Sequence, residues 1–189
     1  MKWRWLIVTR VLGVDLSLTS TGLVALPDTW VGATGLDWSE VYYHALGESL
    51  EQDASAEQRQ ERVETIAFGI SDCARAWGVT HVVFEQDTFR QAWQAYQRGE
   101  LAGVAKLRLR ALGLPITVTS SASARKTLLG KVPRKDAKKA VQAHCRQLGV
   151  PWADWTAAAG FQDICDAFTV ANHRLGELVL GCCVMGVVR

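Results

Sequence analysis

Short apolar runs fill the first part of the chain, and helical periodicity takes over afterwards. Val11–Val14 is apolar throughout and stops at Asp15, as a buried strand would. Thr21–Leu26 is a second such run, and the polar stretch Ser17–Ser20 between the two predicts a turn. Pro27–Ser39, with Pro, Gly and Asp, predicts a loop, and Val41–Leu46 predicts a third strand. Three strands in quick succession favour antiparallel hairpins. From Ala56 to Trp77, Val63, Ile66, Ala67, Ile70 and Ala74 recur on one helical face. His81–Phe84 then predicts a fourth strand, ending at Glu85. A long helix follows over Gln91–Leu112, with Gly113 where a C-cap glycine belongs. Pro115–Thr119 predicts a fifth strand, and Ser123–Leu129, Lys135–Leu148 and Asp163–Leu180 predict three more helices.

This order predicts an α/β fold: a five-stranded mixed sheet with helices on both faces. A length of 189 residues suits one domain, 1–189, able to bury a full core without metals or disulfides. Cys73, Cys145, Cys165, Cys182 and Cys183 form no CxxC pair and no Cys/His cluster of zinc-ligand spacing. They read as the reduced thiols of a cytoplasmic protein. The N-terminal MKWRWLIVTR is too short in its apolar run for a signal peptide. The apolar tail Leu178–Val188 falls short of the ~20 residues of a membrane helix, so a packing or subunit-contact role is expected and no membrane partner.

The net charge of +2 says little about a nucleic-acid partner, but its distribution says more. Asp37–Glu64 is rich in acids. Arg125, Lys126, Lys131, Arg134, Lys135, Lys138, Lys139 and Arg146 face a single acid, Asp136, within their stretch. For any one of these cations, solvation of a helix face is an adequate explanation. For the whole stretch, contact with phosphates explains more. Arg90, Arg98, Arg108 and Arg110 on the long helix would extend that path.

Four carboxylates stand out. Asp15 and Glu85 each end an apolar strand, where a turn or a solvent-facing strand end would also account for them. Asp163 and Asp166 are three apart and share a helix face, where the helix dipole alone would favour them. If the first and fourth strands are neighbours, Asp15 and Glu85 meet at one end, and a helix packed there adds the other two. Four uncompensated carboxylates repel, and burial sharpens the repulsion. Divalent cations relieve it, and hard oxygen donors suit Mg²⁺ or Mn²⁺. Two such ions ~3.5–4 Å apart can activate a water and stabilise the leaving oxygen of a phosphodiester.

These residues resemble a known family. Val11–Gly22 (VLGVDLSLTSTG) resembles the first motif of the RuvC-type Holliday junction resolvases, Phe84-Glu85-Gln86 the second, and Asp163-Ile164-Cys165-Asp166-Ala167 the third. Gly99–Gln147 is similar to the family's segment between the second and third motifs. The resemblance implies an RNase H-like fold, whose strand and helix order the chain matches. It implies a metal-dependent endonuclease that resolves junctions by paired cuts, with Asp15, Glu85, Asp163 and Asp166 as catalytic ligands of two Mg²⁺ ions, for which Mn²⁺ can substitute. It implies four-way or branched DNA as substrate and a homodimer paired through the long helix. There Trp93, Tyr96, Leu101, Val104, Leu107 and Leu109 spread beyond one core-facing stripe, although a helix buried in a monomer would look similar. Lys126 and Lys135 fall near the family's lysines beside the scissile strand, and Arg125, Lys131 and Arg134 accompany them.

Departures exist. Asp15-Leu16-Ser17 replaces the Asp-Pro-Gly common in cellular members, so the divergent phage and viral branch fits better. Phe89 is the nearest candidate for an aromatic wedge, offset by one position, and suits the core equally. His173 lies two turns, ~10.5 Å, beyond Asp166, too far to share a metal, and reads as packing or support. Trp152 and Trp155 read as packing aromatics, with base stacking unsupported. Other readings remain: a flap, branched-DNA or less selective nuclease on the same fold, and a non-catalytic DNA-binding module. The latter would carry an idle acid cluster at electrostatic cost. A kinase-like ATPase shares the outline Gly13-x-Asp15-x-x-x-Thr19-x-x-Gly22 but needs a second phosphate loop and a later glycine pair, which the sequence lacks.

Overall fold

The computed structural model describes residues 9–30, 37–47, 54–86, 92–130, 134–155 and 160–184. Within these residues five strands form one sheet: β1 (Arg10–Asp15), β2 (Thr21–Pro27), β3 (Tyr42–Leu46), β4 (His81–Glu85) and β5 (Ile116–Thr119), in the order β3-β2-β1-β4-β5. The first three strands make antiparallel hairpins, and β4 and β5 run parallel to β1. Among the described residues, five helices cover the sheet: α1 (Ala56–Ala76), α2 (Ala92–Ala111), α3 (Ser121–Leu129), α4 (Ala137–Gln147) and α5 (Phe161–Val184). The expected mixed α/β layout is therefore present. The stretch expected as loop carries two short 3-10 turns, Asp28–Trp30 and Trp38–Glu40, and α5 begins two residues earlier than expected.

Period-two alternation splits the strands between two cores. Leu12, Val14, Leu23, Ala25, Val82 and Phe84 face α1 and α2. Val11, Val24, Leu26 and Val83 face the other way, toward α5 with α3 and α4 beside it. Trp30, Trp38, Tyr43, Trp152 and Phe168 close this second core with ring centroids 4.8–6.4 Å apart. Trp152 is fully buried there, which settles it as a packing residue, and Trp155 packs on Tyr43.

Two glycines decide how close α5 comes to the sheet. A Cβ on Gly13 would lie 2.1 Å from the Ala167 carbonyl oxygen, and one on Gly22 would lie 2.1 Å from that of Asp163. With no side chain at either position, backbone meets backbone, and the first two turns of α5 rest on the ends of β1 and β2. Among the described residues no helix is long and apolar enough to cross a membrane.

Candidate active site

The parallel pairing of β1 with β4 sets Val14 opposite Phe84, so Asp15 and Glu85 leave adjacent strands one residue later. Asp15 shares the sheet face of Val11 and Gly13, and Glu85 that of Val83; both point toward α5. Helix α5 supplies the rest. Asp163 stands in its first turn and Asp166 one turn on. Asp15, Glu85 and Asp166 each bring a carboxylate oxygen within 4.8 Å of the others. Asp163 stands beside this close group, near enough to Asp15 and Asp166 for their charges to interact.

The surroundings of the four acids differ. Burial pushes the Asp15 carboxyl well above the usual carboxylate range, and Glu85, Asp166 and Asp163 push it further. Burial raises Glu85 as well, against a hydrogen bond donated by the Ser121 hydroxyl. Burial raises Asp163, against a hydrogen bond from the Ser20 hydroxyl. Asp166 is 2% exposed, yet it is well supplied with donors. Arg125 Nη2 donates to Oδ1 at 3.0 Å, and Gln162 Nε2 donates to Oδ2 at 2.6 Å. Lys138 Nζ stands 3.6 Å from Oδ2. Gln162 is itself held by Gln142 Nε2, which donates to its Oε1 at 2.5 Å.

Helix α3 touches both halves of the site. Ser121 and Arg125 are four apart and share a face. One meets Glu85 and the other Asp166. Arg125, expected on an open DNA path, is largely enclosed beside Asp166, with 19% of its side chain exposed. Lys126, Lys135 and Lys139 are exposed, as a phosphate path requires. Arg108 departs from that path: its guanidinium lies over the Phe68 ring at 3.3 Å and its Nε donates to Ser71, because α2 packs against α1 there. Phe89, Arg90 and Lys131 lie outside the described residues, as does the side chain of Arg134. His173 does support the site's framework: its ring shares a 2.7 Å hydrogen bond with Thr127 of α3 and lies 3.3 Å from Glu177.

The residues missed from sequence are those that dress the acids. Gln162, four before Asp166, carried a signal in its helical spacing. Ser20 and Ser121 carried none, since serines in turns and at helix starts are commonplace. Lys138 was visible only as one cation among many.

No protein-family model and no curated protein matches the chain. Solved structures do. The Thermus thermophilus RuvC bound to a Holliday junction substrate superposes with a TM-score of 0.65 at 17% identity, over 92% of this chain and 96% of that one. A second Thermus thermophilus RuvC structure gives 0.63 at 20% identity, over 92% and 97%. The yeast mitochondrial Holliday junction resolvase gives 0.55 at 11% identity, over 89% and 78%. The chain thus has, across nearly its whole length, the RNase H-like fold of the RuvC-type resolvases.

Proposed function

We propose that this chain is a structure-selective endodeoxyribonuclease that resolves four-way DNA junctions. The observation that carries the reading is the convergence of Asp15, Glu85 and Asp166 from two strand ends and one helix within 4.8 Å. Three enclosed carboxylates in so small a space are a hard, all-oxygen donor set, which fits Mg²⁺ or Mn²⁺. Asp15, Glu85 and Asp166 would hold the metal, with Asp163 completing a set for two ions. Bound divalent ions supply an activated water and stabilise the leaving oxygen of a phosphodiester.

The chain's own residues account for the other tasks. Ser121 and Ser20 orient Glu85 and Asp163 through their hydroxyls. Gln162 fixes the Asp166 carboxylate. The exposed Lys126 and Lys135, with Arg125, Lys131 and Arg134 as neighbours in sequence, are proposed to hold DNA phosphates. Phe89 is proposed as the wedge at the junction.

A junction near two-fold symmetry suits a C2 homodimer with two identical sites. Leu101 and Leu109 of α2 are buried within the protomer and leave the interface set. Tyr96 and Leu107 remain, 69% and 70% exposed on a face shared with Gly99 and Gly103. Among the described residues, nothing outside its own stretch of helix lies within 4 Å of a Cβ placed on either glycine, so a second helix could approach closely. The cysteines, read as thiols, suit a cytoplasmic setting in a bacterial cell or phage-infected host.

A panel of four-way junction, flap and plain duplex tests the reading. Paired cuts in the junction, with a dimer in sedimentation, are expected. Preferential flap cleavage would leave the fold and site in place and remove the junction assignment. A stable monomer that only nicks a cruciform plasmid would remove the paired-cut mechanism.

A further inference from the structure

We infer that Arg125 is a gate on metal loading: it occupies Asp166 in the free protein, and a DNA phosphate that draws it off opens Asp166 to a divalent cation. The inference rests on the proposed nuclease site and concerns how that site is filled.

Asp166 is buried. Its carboxylate is almost wholly enclosed, and protein donors engage both oxygens. Gln162 is neutral and can remain beside a bound metal. Arg125 cannot remain equally well, because a guanidinium 3.0 Å from the ligand oxygen repels an incoming cation and competes for the same lone pairs. Lys138 is a weaker competitor, 65% exposed and 3.6 Å away, where solvent screens it.

Arg125 is also poorly satisfied where it sits. Its Nε is shielded from water and has no hydrogen-bond partner among the described residues. A guanidinium fork is completed by an oxyanion that takes two of its N–H groups together, and a phosphate has that shape. The exposed Lys126 is the next residue on the same helix, so a backbone strand reaching Lys126 passes close to Arg125. Phosphate would then give Arg125 a second bond that Asp166 does not, and Asp166 would be left with Gln162 as its neutral support. Metal and DNA therefore bind with positive coupling, and by linkage each tightens the other. The free enzyme is kept from carrying a charged metal centre without a substrate to cut.

The test is calorimetric titration of Mn²⁺ into full-length protein, with and without a junction made uncleavable by phosphorothioate linkages. The free wild type should bind Mn²⁺ weakly, and the junction should tighten binding about tenfold or more, a coupling of ordinary allosteric size. Free Arg125→Gln should bind Mn²⁺ about tenfold tighter than free wild type, with little further gain from the junction. Unchanged or weaker Mn²⁺ binding by free Arg125→Gln overturns the gate. Should that variant fail to fold, Arg125→Met carries the test: it keeps the length of the stem but not the charge, and its free-protein affinity should exceed that of wild type. Equal affinity overturns the gate. Undiminished Mn²⁺ binding by Asp15→Asn would overturn the metal site itself, and the nuclease reading with it.

Discussion

Asp15 and Asp166 lie in the same group of carboxylates and are built in opposite ways. Asp15 comes from the sheet, where parallel pairing forces it beside Glu85, and burial with the neighbouring carboxylates outweighs the favourable charge of Lys138. Its charge is unfavourable, and the protein tolerates it by raising its pKa. Asp166 comes from a helix, with Arg125, Gln162 and Lys138 gathered round it. The sheet acids hold unneutralised negative charge; Asp166 on the helix holds charge that is already balanced. A divalent cation would answer the sheet acids and would compete with the partners of Asp166.

The difference gives the acids distinct effects outside catalysis. For cleavage they should behave alike: Asp15→Asn, Glu85→Gln, Asp163→Asn and Asp166→Asn should each lower the rate by about a thousandfold or more, with DNA binding retained, because an amide is a poor ligand for a hard cation. Single-turnover kinetics on a junction measures this.

For stability they should part. Asp166→Asn leaves Arg125 enclosed without its counter-ion and should cost about 3 kcal/mol, the low end for a broken buried pair since Arg125 keeps some solvent. Asp15→Asn removes a repelled charge and should raise the melting temperature of metal-free protein, by about 2–4 °C for each kcal/mol of repulsion relieved. Chemical denaturation in EDTA compares the two. Equal destabilisation by both variants would erase the distinction.

The pH response follows the same division. Asp15, Glu85 and Asp163 all have folded-state pKa values above their ordinary ones. A group of this kind contributes stability that is complete below its unfolded pKa, and that stability is lost as pH rises through its folded pKa. Metal-free protein should therefore melt at lower temperature as pH climbs from about 4 to neutrality, and saturating Mg²⁺ should suppress the fall. A melting temperature in EDTA that rises over this range would mean the acids are already compensated.

The smallest effect belongs to the exposed cations. Lys126→Ala and Lys135→Ala should each weaken binding to any DNA and flatten the slope of log affinity against log salt by about one. An unchanged slope would mean they only solvate helix ends.

Much of this comparison was legible in the sequence, and unevenly. Apolar runs stopping at Asp15 and Glu85 marked strand ends because a buried strand admits no charge until it reaches an edge. The three-residue spacing of Asp163 and Asp166 marked a shared helix face. All of that information is local. Arg125, Ser121 and Lys138 reach the acids from α3 and α4, and their positions depend on how those helices pack against α5, which no local pattern encodes. The same holds for Gly13 and Gly22, unremarkable in sequence and decisive for the approach of α5. Of the apolar residues on the long helix, Leu101 and Leu109 serve the protomer core with Val104 packed against it, while Tyr96 and Leu107 face outward.

One measurement tests the nuclease assignment most directly. A labelled four-way junction is incubated with wild type and with Asp15→Asn, each in Mg²⁺, Mn²⁺ and EDTA. Wild type should cut opposed strands with either metal and not in EDTA, while Asp15→Asn binds the junction and leaves it whole. Cleavage by wild type in EDTA, or undiminished cleavage by Asp15→Asn, would contradict a metal-dependent nuclease built on these acids.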